Sequence, residues 1–283
     1  MEGLIMKSKG KLRRHVVPGF GISMGITVTF LSLIVLIPLA SIFINTSGLS
    51  IYEFFKIVTE KQVLSAYYVS FICALIAALI NSVFGTILAW VLVRYEFPGK
   101  RILDGLIELP FALPTAVAGI TLTSLYSDQG WIGSIFASAG IKISYTKIGI
   151  TIAMVFIGIP FVVRAIQPVL EKLDPQYEEA ATMIGASGSR IFLKVILPEI
   201  FPAMITGFGL AFARGIGEYG SIVFIAGNIP YETQIAPLLI MSKLEQFKYA
   251  DATAIALVML IISFTILFFI NIVQSYINKV NSN

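Results

Sequence analysis

Residues 174–198 read DPQYEEAATMIGASGSRIFLKVILP, a polar and strongly punctuated segment inside an otherwise apolar chain. Asp174 is placed as a helix N-cap, where its carboxylate accepts backbone N–H bonds, and Pro175 suits the first helical position because its missing donor would be unpaired there anyway. Glu178 and Glu179 then occupy the first turns, where negative charge complements the helix dipole. Gly185 is positioned to end that helix in a left-handed turn. Ser187 or Ser189 follows as the cap of a second helix, expected to end at Pro198. The stretch reads as a short helix, a glycine hinge and a second short helix.

The surrounding composition explains why such a hairpin stands out. Of 283 residues, 57% are hydrophobic and 13% charged, with a mean hydropathy of +0.89. Soluble domains carry about 25% charged residues, so this chain lacks the polar groups to cover a globular surface. An integral membrane protein is implied. Cys73 is the one cysteine, so no disulfide forms within the chain, and it reads as a small core residue. The one histidine, His15, lies in a basic tail and offers little basis for histidine catalysis.

Apolar runs of spanning length occur at about 22–44, 66–93, 103–126, 148–170, 199–226 and 252–272. A helix of about 20 residues crosses the hydrocarbon layer, and backbone pairing in lipid requires helices for runs of this kind. The fold class is therefore all-α: a polytopic membrane protein with six transmembrane helices. A charged start before an apolar run also fits a signal peptide, but the run is long and no clear cleavage site follows, so an uncleaved first span is expected. Residues 1–21 form a basic tail, 22–275 the membrane domain and 276–283 a C-terminal tail. The fifth run is the least regular, holding Arg214, Glu218 and five glycines. Residues 230–247 suggest a surface helix.

Orientation follows from the basic residues. With the N-terminus in the cytosol, the cytosolic segments hold Lys7, Lys9, Lys11, Arg13, Arg14, Arg94, Lys100, Arg101, Lys172, Arg190, Lys194 and Lys279, twelve in all. The outer loops hold six: Lys56, Lys61, Lys142, Lys147, Lys243 and Lys248. Both termini and the 174–198 hairpin are thus expected in the cytosol.

No phosphate-binding loop, nucleophile set or metal-ligand spacing stands out, and the chain reads as no enzyme by itself. Charges inside spans are the remaining functional signal. Arg214 and Glu218 lie four residues apart, so they share a helix face and can pair. An internal ion pair and a cationic, glycine-lined anion path are both open readings. Arg164, near the cytosolic end of the fourth span, suits either snorkelling to the interface or a path role. Glu108, Pro110 and Pro114 mark the third span as broken or kinked, with Thr115, Thr121 and Thr123 available to line a polar route. Candidate anion-path residues are Arg214, Glu218, Arg164 and Thr115.

Six spans with a cytosolic helix pair between the fourth and fifth resemble the inner-membrane subunits of ABC importers, whose loop reads EAA-x3-G-x9-I-x-L-P. Glu179, Ala180, Ala181, Gly185, Leu197 and Pro198 match it, with Val195 in place of Ile. The resemblance implies that this hairpin is the coupling helix seated in an ATPase subunit. A finer resemblance, to the CysT-type sulfate/thiosulfate permeases, rests on Glu108-Leu109-Pro110, Ile159 through Arg164, Phe212-Ala213-Arg214 and Gly217 through Ser221. It implies CysA-type ATPases that bind ATP and Mg, a CysW-type second permease and an extracytoplasmic sulfate-binding protein. The chain itself is expected to hold no cofactor and no metal, to contact lipid, and to bind no nucleic acid. Molybdate/tungstate permeases share the loop but tend to be shorter, which makes them the alternative. A stand-alone secondary anion transporter is the reading from another class, and it would carry inverted repeats that this sequence does not display.

Overall fold

The computed structural model describes residues 19–281, with side chains through Ser275. The basic residues from Lys7 to His15 lie outside the described residues, as does the Lys279 side chain. Every regular element among the described residues is a helix. The first, α1 (Phe20–Ser47), is apolar all round and almost wholly exposed, the pattern of a helix whose solvent is lipid. A capped outer helix, α2 (Ile51–Val58), leads into α3 (Lys61–Arg94). At 34 residues, α3 is about 51 Å long, well beyond the roughly 30 Å hydrocarbon core.

Three long helices make the core: α3, α7 (Lys147–Lys172) and α9 (Gly188–Ile216). Small residues set their spacing, since packing between spans depends on close approach rather than on exclusion of water. A Cβ on Gly85 would come within 2.8 Å of Val162 Cγ1, and one on Gly207 within 2.8 Å of the Val162 backbone. Asn81 faces Gly158, Gly85 faces Val162, and Arg94 reaches Leu173. Residue numbers rise together along both helices, so α3 and α7 run parallel. Gly207 against Val162 and Gly215 against Met154 put α9 antiparallel to them. The last helix, α12 (Tyr249–Asn281), returns against α9, with Gly209 facing Ile270 and Gln274 donating to Thr206 at 2.6 Å.

Parallel α3 and α7 require the chain between them to cross back. It does so in two pieces, α4 (Lys100–Ala112) and α5 (Thr115–Tyr126), bent by 113°. The break expected from the prolines is therefore present. Leu113 is extended because the following Pro114 disfavours the helical region, and Pro114 cannot donate the next helix bond. With this bent pair the described residues make six crossings.

Three expectations need correction. The helix after Ser187 does not stop at Pro198 but runs on to Ile216. A π turn at Phe192–Ile196, in which Leu197 N–H bonds the Phe192 carbonyl, widens the helix just before Pro198. Proline clashes with the carbonyl four residues back in a regular helix, and the wider turn relieves this. The same device, Ser32–Leu36, precedes Pro38 in α1. Second, the fifth span occupies 188–216 rather than 199–226, so Glu218 lies beyond the helix end. Third, the helix expected at the surface near 230–247 is α11 (Ala236–Glu245), and it buries Ala236, Leu238 and Leu239. Its Ala236 N–H donates to the buried Ser70 hydroxyl at 2.8 Å.

Candidate functional site

The 174–198 hairpin folds as its residue types dictate. Asp174 Oδ1 accepts the Gln176 N–H at 3.0 Å, opening α8 (Gln176–Met183). Gly185 takes φ +82°. Its N–H bonds Thr182, and Ala186 N–H reaches back to the Ala181 carbonyl at 3.0 Å. These are the bonds of a left-handed glycine cap. Ser187 holds the N-cap position of α9 by backbone conformation, without a side-chain bond.

Exposure divides the hairpin into two faces. Ala181, Ala186, Val195 and Leu197 pack against the apolar core. Glu179, Ala180, Gly185 and Pro198 point outward. Met183 and Ile184 are 88% and 86% exposed, with Tyr177 close behind. These three apolar residues were not singled out from sequence, although apolar residues in a polar hairpin on the face not used by the body are the signal that could have found them. Arg94, Lys100, Arg101, Lys172, Arg190 and Lys194 all gather at this end of the helix bundle, where α3, α7 and α12 finish and α9 begins.

Arg214, in the last turn of α9, pairs with Glu218 at 2.5 Å. The Glu218 side chain is 2% exposed, and its other oxygen accepts the Ser221 N–H at 2.9 Å and the Ser221 hydroxyl at 3.0 Å. A buried carboxylate is thus fully engaged, while Arg214 is one-third exposed and engages Glu218 through a single nitrogen. Thr115, at the start of α5, lies directly against Gly220, and Gly119 lies against the Ser221 backbone. Any Cβ at Gly220 would collide with the Thr115 hydroxyl. Thr115, Arg214 and Glu218 therefore converge on one turn, residues 217–221.

Arg164 belongs elsewhere. Its guanidinium donates to Asp104 at 2.7 Å, Glu108 at 2.8 Å and Gln167 at 2.5 Å. It neither snorkels freely nor stands open to an anion; it fastens α4 to α7. Asp104 was not anticipated, since it is 60 residues away and nothing local to either residue marks the pairing.

This bundle, with its broken third span and projecting hairpin, has the fold of solved ABC-importer chains. The family model of binding-protein-dependent transport system inner membrane components matches residues 81–281, and the chain belongs to that family. Among curated relatives, the sulfate transport system permease protein CysT of Salmonella typhimurium is 49% identical over 262 residues, 93% of this chain and 95% of that protein. CysT of Escherichia coli is 48% identical over the same length, and that of Synechocystis 47% over 251 residues, 89% of this chain and 88% of that protein. Among solved structures, a bacterial ABC transporter that imports alginate superposes with TM-score 0.76 at 14% identity, covering 90% of this chain and 94% of that one. The alginate transporter in complex with its pentasaccharide-bound periplasmic protein gives TM-score 0.76 at 16% identity, over 92% and 94% of the chains. At these identities the likeness establishes the fold. The chain is a multi-pass inner-membrane permease subunit and not an enzyme.

Proposed function

We propose that this chain is one half of the translocation pathway of an ATP-driven sulfate/thiosulfate importer. Its 174–198 hairpin receives the force of ATP hydrolysis from a cytosolic CysA-type ATPase that binds ATP and Mg. Both termini lie in the cytosol. A CysW-type permease completes the pathway, and an extracytoplasmic sulfate-binding protein delivers the anion to the opposite face.

The observation that carries the coupling is the hairpin tip. Met183 and Ile184 are held out by the Gly185 cap with little cover from the described residues. Sulfate as cargo is supported by relatives 47–49% identical over nearly their full lengths. Arg214, Thr115 and the 217–221 turn form the proposed anion route. Arg214 suits an oxyanion because its planar fork offers several donors beyond the one engaged by Glu218. Arg164 contributes by holding the α4 half of the broken span in place.

The test is ATPase stimulation of the reconstituted four-component complex by binding protein loaded with sulfate, thiosulfate or molybdate. Stimulation by sulfate and thiosulfate is expected. Stimulation by molybdate alone would overturn the assignment of the anion.

A further inference from the structure

The ends of α3, α7 and α8 meet at one side chain. Arg94, the last residue of α3, places Nη2 2.8 Å from Glu178 Oε1 on α8 and 3.2 Å from the Leu173 carbonyl that ends α7. The Arg94 side chain is 16% exposed and that of Glu178 25%, so the contact is largely shielded from water. Among the described residues no other hydrogen bond or ion pair joins α3 to residues 174–198. The Leu173 carbonyl is one of the orphan acceptors at a helix C-terminus. Arg94 satisfies it with the same nitrogen that holds Glu178.

We propose that Arg94 is a positioning residue through which the displaced coupling helix moves α3. The proposal rests on the reading of 174–198 as the ATPase-docking hairpin. The covalent chain already links α8 to α7 through Leu173–Pro175, and to α9 through the glycine hinge. Helix α3 has no such link, yet it is the third member of the core. Apolar contact between Trp90 and Phe192, with ring centroids 5.3 Å apart, joins α3 to α9 but has no preferred direction and can slide. The Arg94 hydrogen bond to the Leu173 carbonyl is directional, and the ion pair with Glu178, whose Oε1 accepts no hydrogen bond among the described residues, adds a short-range attraction to α8. Arg94 thus makes one rigid unit of the cytosolic ends of all three core helices. Glu178, adjacent to the Glu179 that faces outward, supplies the attachment point.

The test uses the complete complex of both permeases, the ATPases and the binding protein in liposomes, carrying R94Q, R94E, E178Q or the exchanged pair R94E/E178R. Co-purified ATPase, basal ATPase and sulfate imported per ATP are measured for each. For R94Q, ATPase binding and basal rate are expected within about twofold of wild type, while sulfate per ATP falls at least about fivefold, the low end of usual coupling between sites. E178Q should likewise lower sulfate per ATP, and the exchanged pair, although its Glu cannot donate to the Leu173 carbonyl, should exceed R94E by restoring the ion pair, which a merely structural role would not predict. Unchanged sulfate per ATP in R94Q would overturn the proposal. So would loss of ATPase binding by R94Q, or an exchanged pair no better than R94E alone. If the wild-type complex itself retains no ATPase, the docking reading fails, and the role of Arg94 fails with it.

Discussion

Arg214 and Glu218 stay paired at 2.5 Å although the helix that carries Arg214 ends at Ile216. The pair therefore bridges a helix terminus and the turn after it, and Ser221 adds two donors to the same carboxylate. The two partners are unequal. Glu218 is buried and saturated, whereas Arg214 keeps donors free.

That inequality separates their mutants. Glu218→Ala should destabilise the chain by about 1–3 kcal/mol, since the buried Ser221 donors lose their acceptor while Arg214, one-third exposed, turns to water. Thermal unfolding in detergent reads this directly. Arg214→Ala should cost at least as much, because it leaves the buried Glu218 carboxylate with the Ser221 donors but no cation, and the protein that still folds should lose sulfate uptake. Uptake preserved in a folded Arg214→Ala would remove Arg214 from the anion route.

Arg164→Gln should loosen α4 without dismantling the core. Asp104 and Glu108 would face each other without their cation, at a cost of about 1.5–3 kcal/mol for charged hydrogen bonds lost. Hydrogen exchange should then rise across residues 100–112 and stay unchanged in 61–94. Equal protection throughout would show that α4 is held by its apolar contacts alone.

Glycines in this chain divide into packed and open ones. Gly207→Ala meets the Val162 backbone at 2.8 Å and should cost about 1–3 kcal/mol by overpacking. Gly105→Ala in α4 meets nothing within 4 Å and should stabilise by about 0.5–1 kcal/mol through helix propensity. Melting temperatures of the two variants should move in opposite directions.

Helix α2 gives a pH dependence outside the spans. The Glu53 carboxyl sits below its ordinary value of 4.5, chiefly because the Ser50 hydroxyl donates to it, then because the Ser50 N–H does, with Lys56 adding attraction. A lowered folded pKa means the cap contributes fully above 4.5 and is lost as pH falls through the folded value. Amide protection factors in α2 should hold above pH 4.5 and drop as the pH falls below it in wild type. Glu53→Gln should abolish that dependence.

Much of the hairpin was legible because backbone geometry restricts residue choice. A helix that ends with φ of +82° calls for glycine, and Gly185 is there; the Asp174-Pro175 start is equally local. Pro198 misled because proline usually ends a helix, and no residue type announces the π turn that accommodates it. The prolines at 110 and 114 announced a break, but the 113° bend comes from tertiary packing of α5 on the 217–221 turn. Five glycines and two charges in the fifth run were visible, and they mark the helix ending at Ile216 rather than an irregular longer span. The partners of Arg164 and Arg94 lie on other helices, 60 and 84 residues away in the chain, where periodicity carries no information.

Docking of the ATPase on the hairpin tip is the proposal from which the coupling follows. Met183 and Ile184 are so exposed that M183D/I184D should insert and fold as wild type does. Co-purification of the ATPase with each form is the direct measurement. Wild type should retain the ATPase and the double variant should lose it, together with sulfate-stimulated ATP hydrolysis. Full retention by the double variant, with uptake intact, would contradict it.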